Sequence, residues 1–215
     1  MDPIKEKEMK PKKEKKPIDV CYNYDFTDKL LMGDLDNRHL LINDEIDAST
    51  IDIIVFHIIR YNKMDKGIPV DERKPILLFM NTVGGSVFDG FGVVDAIQRS
   101  VTPVYTINIA LCASLGFDIF IAGKKRFAMP HSVFLMHDGA TMMNDSTAKT
   151  KDVIDFICGQ FAESTKQYVV DNTGISSEAY DDKYRKEWFF MADEAKRLHV
   201  VDYIIGEDYM LDDIL

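Results

Sequence analysis

Three stretches hold residue types that together could carry out acyl transfer. In residues 109–118, IALCASLGFD, Ser114 stands between small residues at the mouth of an apolar helix that runs on through Phe117, Ile119, Phe120 and Ile121. Unpaired backbone N–H groups and the helix dipole favour developing negative charge at such a start, which suits a nucleophile. The same position also suits a serine that merely caps the helix. In residues 81–87, NTVGGSV, Gly84 and Gly85 lie at a strand-to-helix turn. Paired glycines let the backbone take positive φ, approach a ligand closely and aim an N–H at an oxyanion, although a tight turn would use them equally. His137 ends the apolar run 133–137, at the edge where open α/β sheets keep their sites. Histidines are often structural, and four others occur, His39, His57, His131 and His199. The order of a glycine turn, a serine and a histidine therefore matters more than any one of them.

The surrounding pattern predicts alternating strands and helices. Residues 39–42 read as a short buried strand, followed by a helix capped by Asp47 or Ser49. That helix carries a broad apolar face of Ile51, Ile53, Ile54, Phe56, His57, Ile58 and Ile59 and ends near Tyr61. The continuous apolarity of 75–80 suits a strand covered on both faces. A helix over 88–98, with Phe91, Val94, Ala96 and Ile97 inward, a strand over 104–109, and the helix opened by Ser114 complete a βαβ rhythm, which implies right-handed crossovers and a largely parallel sheet. Short strands over 126–129 and 133–137 come next. A long helix from Ser146 to Asn172 is spaced by Val153, Ile154, Ile157, Phe161 and Tyr168 and stopped by Gly174. A helix over 177–186, the stretch 187–191, a helix over 192–198 and the apolar run 200–205 close the chain.

Composition narrows the function classes. The 215 residues, 46% hydrophobic, suffice for one large domain with a proper core. No run of 18 apolar residues exists and the Lys-rich start lacks a signal-like apolar segment, so a cytoplasmic protein without membrane contact is expected. Cys21, Cys112 and Cys158 are odd in number and widely spaced, which predicts buried thiols and neither a disulfide framework nor a metal pair. Residues 1–17 hold seven lysines against four acids, net +3, so the rest of the chain carries −13 of the total −10. An acidic body argues against a nucleic-acid surface, and the 1–17 segment, with three prolines and little to bury, is expected to be a disordered tail ahead of one domain over 18–215.

The ordered motifs resemble those of the proteolytic-subunit (ClpP) family of the Clp protease, serine peptidases on the ClpP/crotonase-like α/β spiral fold. Residues 81–87 look like the family's N-S-P-G-G-x-V loop, and CASLG at 112–116 like its A-A-S-M-G motif. FAMPHS at 127–132 followed by LMH at 135–137 is similar to the R-F-x-L-P-N-S strand pair ending in M-I-H, and the ending from Ala192 through Asp202 is similar to A-x-E-A…G-L-V-D. The resemblance spans residues 38–206. It implies Ser114 as nucleophile, His137 as general base, and the amides of Gly85 and Leu115 as the oxyanion hole. It also implies a homo-oligomer of heptameric rings stacked as a tetradecamer through a protruding handle helix. The substrates would be unfolded polypeptides delivered by an AAA+ unfoldase, which would use the ATP, and the chain itself would need no cofactor.

This chain departs from the family at several points. Where the family has its catalytic Asp, in D-R-F-L-S-A, this sequence reads EWFFMA at 187–192. Glu187, one methylene longer, becomes the third member, with Asp181 and Asp182 as alternatives. Val83 replaces a proline and Leu115 a methionine, both tolerable where backbone amides act. Asp118 interrupts an apolar helix, and a buried carboxylate needs partners. Residues 138–145 hold only Gly139 where the family has a glycine-rich strand. The N-terminus is unlike the family's axial loops, a divergence of the kind that virus- or plasmid-encoded relatives show. A catalytically inactive ring subunit or scaffold, and an acyl-CoA enzyme of the crotonase type, are the competing readings.

Overall fold

The computed structural model of the protein describes residues 34–139 and 146–215. The expected 1–17 tail, Cys21 and most of the 138–145 segment lie outside the described residues. The strands are β1 (His39–Ile42), β2 (Ile76–Thr82), β3 (Val104–Ala113), β4 (Lys125–Ala128), β5 (Val133–Met136), β6 (Trp188–Met191) and β7 (Tyr203–Ile204). The helices that matter to the site are α1 (Phe56–Met64), α2 (Val87–Arg99), α3 (Leu115–Ile121), α4 (Thr147–Phe156), α5 (Ala162–Asn172), α6 (Ser177–Lys183) and α7 (Ala192–Arg197). Among the described residues, no helix is long and apolar enough to cross a membrane.

The sheet runs β1-β2-β3-β4-β7, and every neighbouring pair in that path is parallel, as the βαβ rhythm predicts. β3 is longer than the periodicity indicates, because it forks. Its first half, Tyr105–Asn108, pairs with β4, and its end, Leu111–Ala113, pairs with β5. The strand therefore continues to the residue before Ser114. β6 alone runs antiparallel, zipped to β5 from Val133↔Met191 to Met136↔Trp188.

Aromatic packing holds this branch in place. Phe134 on β5 stacks on Phe190 of β6, with ring centroids 5.6 Å apart, and meets Phe120 of α3 edge-on at 4.9 Å. Phe117 of α3 lies against both Phe134 and Phe190. Each such buried ring contributes about 1.5–3 kcal/mol by area and roughly 0.5–1.5 kcal/mol more per favourable ring pair. The cluster fixes β5, β6 and α3 relative to one another. On the far side Arg126 grips Asp202, Nη2 to Oδ1 at 2.8 Å, and its Nη1 donates to the Asn172 carbonyl at 2.7 Å, tying β4 to the approach to β7 and the end of α5.

Several expectations need correction. Asp47 is the cap, in a full capping box with Thr50, but the helix passes through a π turn, Ile51–Val55, before α1. Ile53, Phe56 and Ile59 are exposed while Ile54 and Ile58 are buried, so the apolar face is wider than this chain's own core requires. On α2 the buried set is Gly90, Val93, Val94 and Ile97, with Phe91 and Ala96 at its margin. The long helix is continuous in path yet broken at Ile157–Phe161, a π segment where Gly159 leaves helical geometry at φ −100°, ψ −106°. Cys112 is buried but Cys158 is exposed on that segment. The terminal run 200–205 contributes only the two-residue β7.

Candidate active site

Ser114 sits at the hinge between β3 and α3 with φ 54°, ψ −127°, a backbone conformation that side chains other than glycine rarely adopt. Its N–H donates to the Leu135 carbonyl at 2.9 Å, which ties the hinge to β5. Its side chain forms no capping hydrogen bond, so it does not serve as a helix cap. A strained strand-to-helix turn that leaves a hydroxyl unoccupied is the geometry by which a nucleophile is presented.

The glycine loop lies directly over this hinge. A Cβ on Gly84 would stand 2.8 Å from both the Ala113 carbonyl oxygen and Ser114 Cβ, and 3.2 Å from the Leu115 nitrogen. Gly84 has φ +94° and Gly85 φ +152°, so both approach and conformation require glycine. The loop is held from outside: Ile46 N–H donates to the Gly84 carbonyl at 2.8 Å, and Ser86 N–H to the Ile46 carbonyl at 2.7 Å. In that parallel bridge, Ile46↔Gly85, the Gly85 N–H points away from Ile46. Leu115 N–H, at the first position of α3, has no carbonyl four residues back to bond. Both amides are thus available to an outside acceptor beside Ser114.

His137 follows β5 and Glu187 precedes β6. The register pairs Met136 with Trp188, so the next pair outward is His137 with Glu187. Their side chains meet there, Nδ1 to Oε1 at 2.9 Å, with the imidazole half-buried and the carboxylate 61% exposed. A carboxylate on Nδ1 holds the proton on that nitrogen and leaves Nε2 of a neutral ring as the acceptor. The alternatives are engaged elsewhere: Asp181 binds Lys166 at 2.8 Å, and Asp182 binds Lys186 at 2.8 Å and Lys183 at 3.3 Å.

Ser114, Leu115 and His137 line one pocket, of about 90 Å³. Among the described residues no hydrogen bond joins Ser114 to His137, and such contacts often tighten only around bound substrate. The far wall comes from elements distant in sequence: Phe161 on the broken helix, Val169 on α5, Tyr180 on α6 and Tyr184 just beyond it. Helical spacing marks Phe161 as inward-facing, but no local pattern places it at this pocket. Asp118 also lines it. Loss of hydration pushes the Asp118 carboxyl up to about 8, and the Cys112 thiol well up. Among the described residues no group of three or more His, Cys, Asp and Glu is arranged to hold a metal ion.

Comparisons with known proteins bear on the family and the fold. The sequence model of the Clp protease family matches residues 23–208. An ATP-dependent Clp protease proteolytic subunit 3 from Synechococcus sp. (strain CC9605) is 32% identical over 143 residues, 63% of this chain and 69% of that protein. A proteolytic subunit 2 from Prochlorococcus marinus (strain MIT 9312) is 32% identical over 142 residues, 63% and 68% of the two chains. A point mutant of ClpP1 from Listeria monocytogenes superposes with a TM-score of 0.70 at 23% identity, covering 86% of this chain and 99% of that one, so the α/β fold is that of ClpP. With its motifs in family order, its fold shared and the family model matched over most of its length, the chain belongs to the Clp protease family.

Proposed function

We propose that this chain is the serine-type endopeptidase subunit of a self-compartmentalising, Clp-like protease. The family consists in general of serine peptidases that form ring oligomers with Clp ATPases. The observation that carries the reading is the His137–Glu187 contact of 2.9 Å at the mouth of the pocket that Ser114 lines.

In this mechanism Ser114 Oγ attacks the peptide carbonyl carbon while His137 Nε2 takes the hydroxyl proton. The C–O bond forms as the carbonyl π pair moves onto oxygen, where the N–H groups of Gly85 and Leu115 receive it. Glu187 orients the ring and stabilises the imidazolium. The pair then returns, the C–N bond breaks, and His137 gives its proton to the departing amine. Water repeats the sequence on the acyl-enzyme: His137 takes a proton from it, the ester bond to Ser114 breaks, and Oγ regains a proton. The chain supplies every group needed and calls for no cofactor of its own.

The substrates are unfolded polypeptides, and an AAA+ unfoldase that spends ATP feeds them. The working form is a cytoplasmic homo-oligomer, heptameric rings stacked as a tetradecamer through the broken helix 147–172. Exposed Phe56 and Ile59 on α1 and Ile53 just before it support lateral contacts between copies, since apolar clusters of this kind mark interaction surfaces.

A fluorophosphonate probe tests the chemistry. Labelling of the parent that disappears in Ser114→Ala is expected. Absence of labelling in a correctly assembled oligomer would instead make the chain an inactive ring subunit. Mass photometry tests assembly, and a monomer would defeat the chamber.

A further inference from the structure

Asp118 stands four residues beyond Ser114 in the first turn of α3, and both line the same pocket. Helical Cα–Cβ bonds tilt toward the N-terminus, which leans the Asp118 side chain back toward the Ser114 hinge and into the pocket it lines. The wall around it is apolar or aromatic, from Phe91, Phe117, Phe161 and Val169. Its carboxyl accepts no hydrogen bond among the described residues. The nearby Tyr168 hydroxyl donates to the Asp118 backbone carbonyl instead, at 2.8 Å. An unpaired carboxyl in such a wall costs stability, and leucine would fill the same space without that cost.

The charge does suit a ligand. The described lining of the pocket includes Asp118 and Asp138 and neither a lysine nor an arginine, so the cavity favours a cation. Position identifies which part of a substrate enters. With the carbonyl oxygen between the Gly85 and Leu115 amides, the side chain on the acyl side of the scissile bond branches one atom from the reacting carbon, where the pocket opens. Four residues of helix span about 6 Å, comparable to the four-carbon stem of lysine. The cavity, about 90 Å³, has room for a slender side chain.

The geometry points to Asp118 as the specificity-determining residue of this pocket, selecting lysine or arginine on the acyl side of the cleaved bond. This rests on Ser114 being the nucleophile. An entering ammonium or guanidinium pairs with the carboxylate, and the proton that the empty site holds on Asp118 leaves to solvent. The tyrosines at the wall, Tyr180 and Tyr184, stay neutral, their phenols pushed up by burial, and add no competing charge.

The test uses the full-length oligomer and quenched peptides that differ only in the residue before the scissile bond: Lys, Arg, Leu, Met or Glu. We expect kcat/KM for Lys and Arg at least tenfold above Leu and Met, with Glu lowest. Asp118→Leu should reverse the order in favour of Leu, and Asp118→Asn should erase the basic preference, each with its fold checked by oligomer mass and thermal melting. Should Asp118→Leu fail to assemble, the parent's ranking and Asp118→Asn decide. A parent that cleaves after Leu or Met as readily as after Lys, or variants that keep the parent's ranking, overturn the assignment while leaving the peptidase intact. No Ser114-dependent cleavage of any peptide and no fluorophosphonate labelling overturn the peptidase itself.

Discussion

The Glu187 carboxylate meets Nδ1 of His137 at 2.9 Å, in the position that the β5–β6 register assigns to the next cross-strand pair. In the proposed mechanism Glu187, just outside β6, takes the place of a shorter acid. Glu187→Ala should therefore lower kcat on a short peptide by on the order of 10²–10³ while oligomer mass is unchanged. Asp181→Ala and Asp182→Ala, whose partners are lysines, should stay within about twofold of the parent. A nearly active Glu187→Ala beside a dead Asp181→Ala or Asp182→Ala would sink the assignment.

The proposed oxyanion site would depend on a backbone approach that only glycine allows. Gly84→Ala places a Cβ 2.8 Å from the Ala113 carbonyl oxygen at φ +94°, so the loop must move off Ser114. We expect a loss on the order of 10²-fold in kcat, the scale of one missing donor, together with about 1–3 kcal/mol of stability. Steady-state kinetics and denaturant melts measure both. Unchanged kcat in a folded Gly84→Ala would remove the loop from the chemistry.

How much of this was legible depended on sequence distance. Ser114 is visible because it opens an apolar helix between small residues and His137 because it ends an apolar run, whereas Glu187 is marked only by the resemblance of EWFFMA to the family's D-R-F-L-S-A. The extension of β3 past Ile109 is not visible, since Ala110–Ala113 reads as the approach to a helix and becomes strand only because β5 arrives beside it. The break at Gly159 is hidden because the apolar spacing on both sides of it stays helical. The pocket wall is hidden for the same reason as β5's arrival. Phe161, Val169, Tyr180 and Tyr184 reach Ser114 only through tertiary packing.

The aromatic stack behind the site should couple stability to catalysis. Phe190 is buried against Phe117 and Phe134 and lies opposite Phe134 in the register that ends at His137 and Glu187. Phe190→Ala should cost about 3–5 kcal/mol, whereas Phe190→Leu, which keeps most of the volume, should cost less than half of that. If the stack sets the His137–Glu187 geometry, kcat of the folded Phe190→Leu variant falls severalfold with KM little changed. Equal kcat in parent and Phe190→Leu would confine the stack to a structural role.

The Asp118 carboxyl gives the fold a pH signature whose sign can be worked out. Its pKa is raised from 3.8 to about 8 by burial, so the folded state holds a proton that the unfolded state releases between those values. Stability from this group is fully present below about pH 4 and is lost as pH rises through about 8. Asp118→Asn carries no such proton. Relative to the parent it should melt at a higher temperature at pH 8.5. The difference should shrink steadily toward pH 4. Thermal melts of both proteins across that range make the comparison, and parallel curves would mean that Asp118 is already ionised and paired in the folded protein.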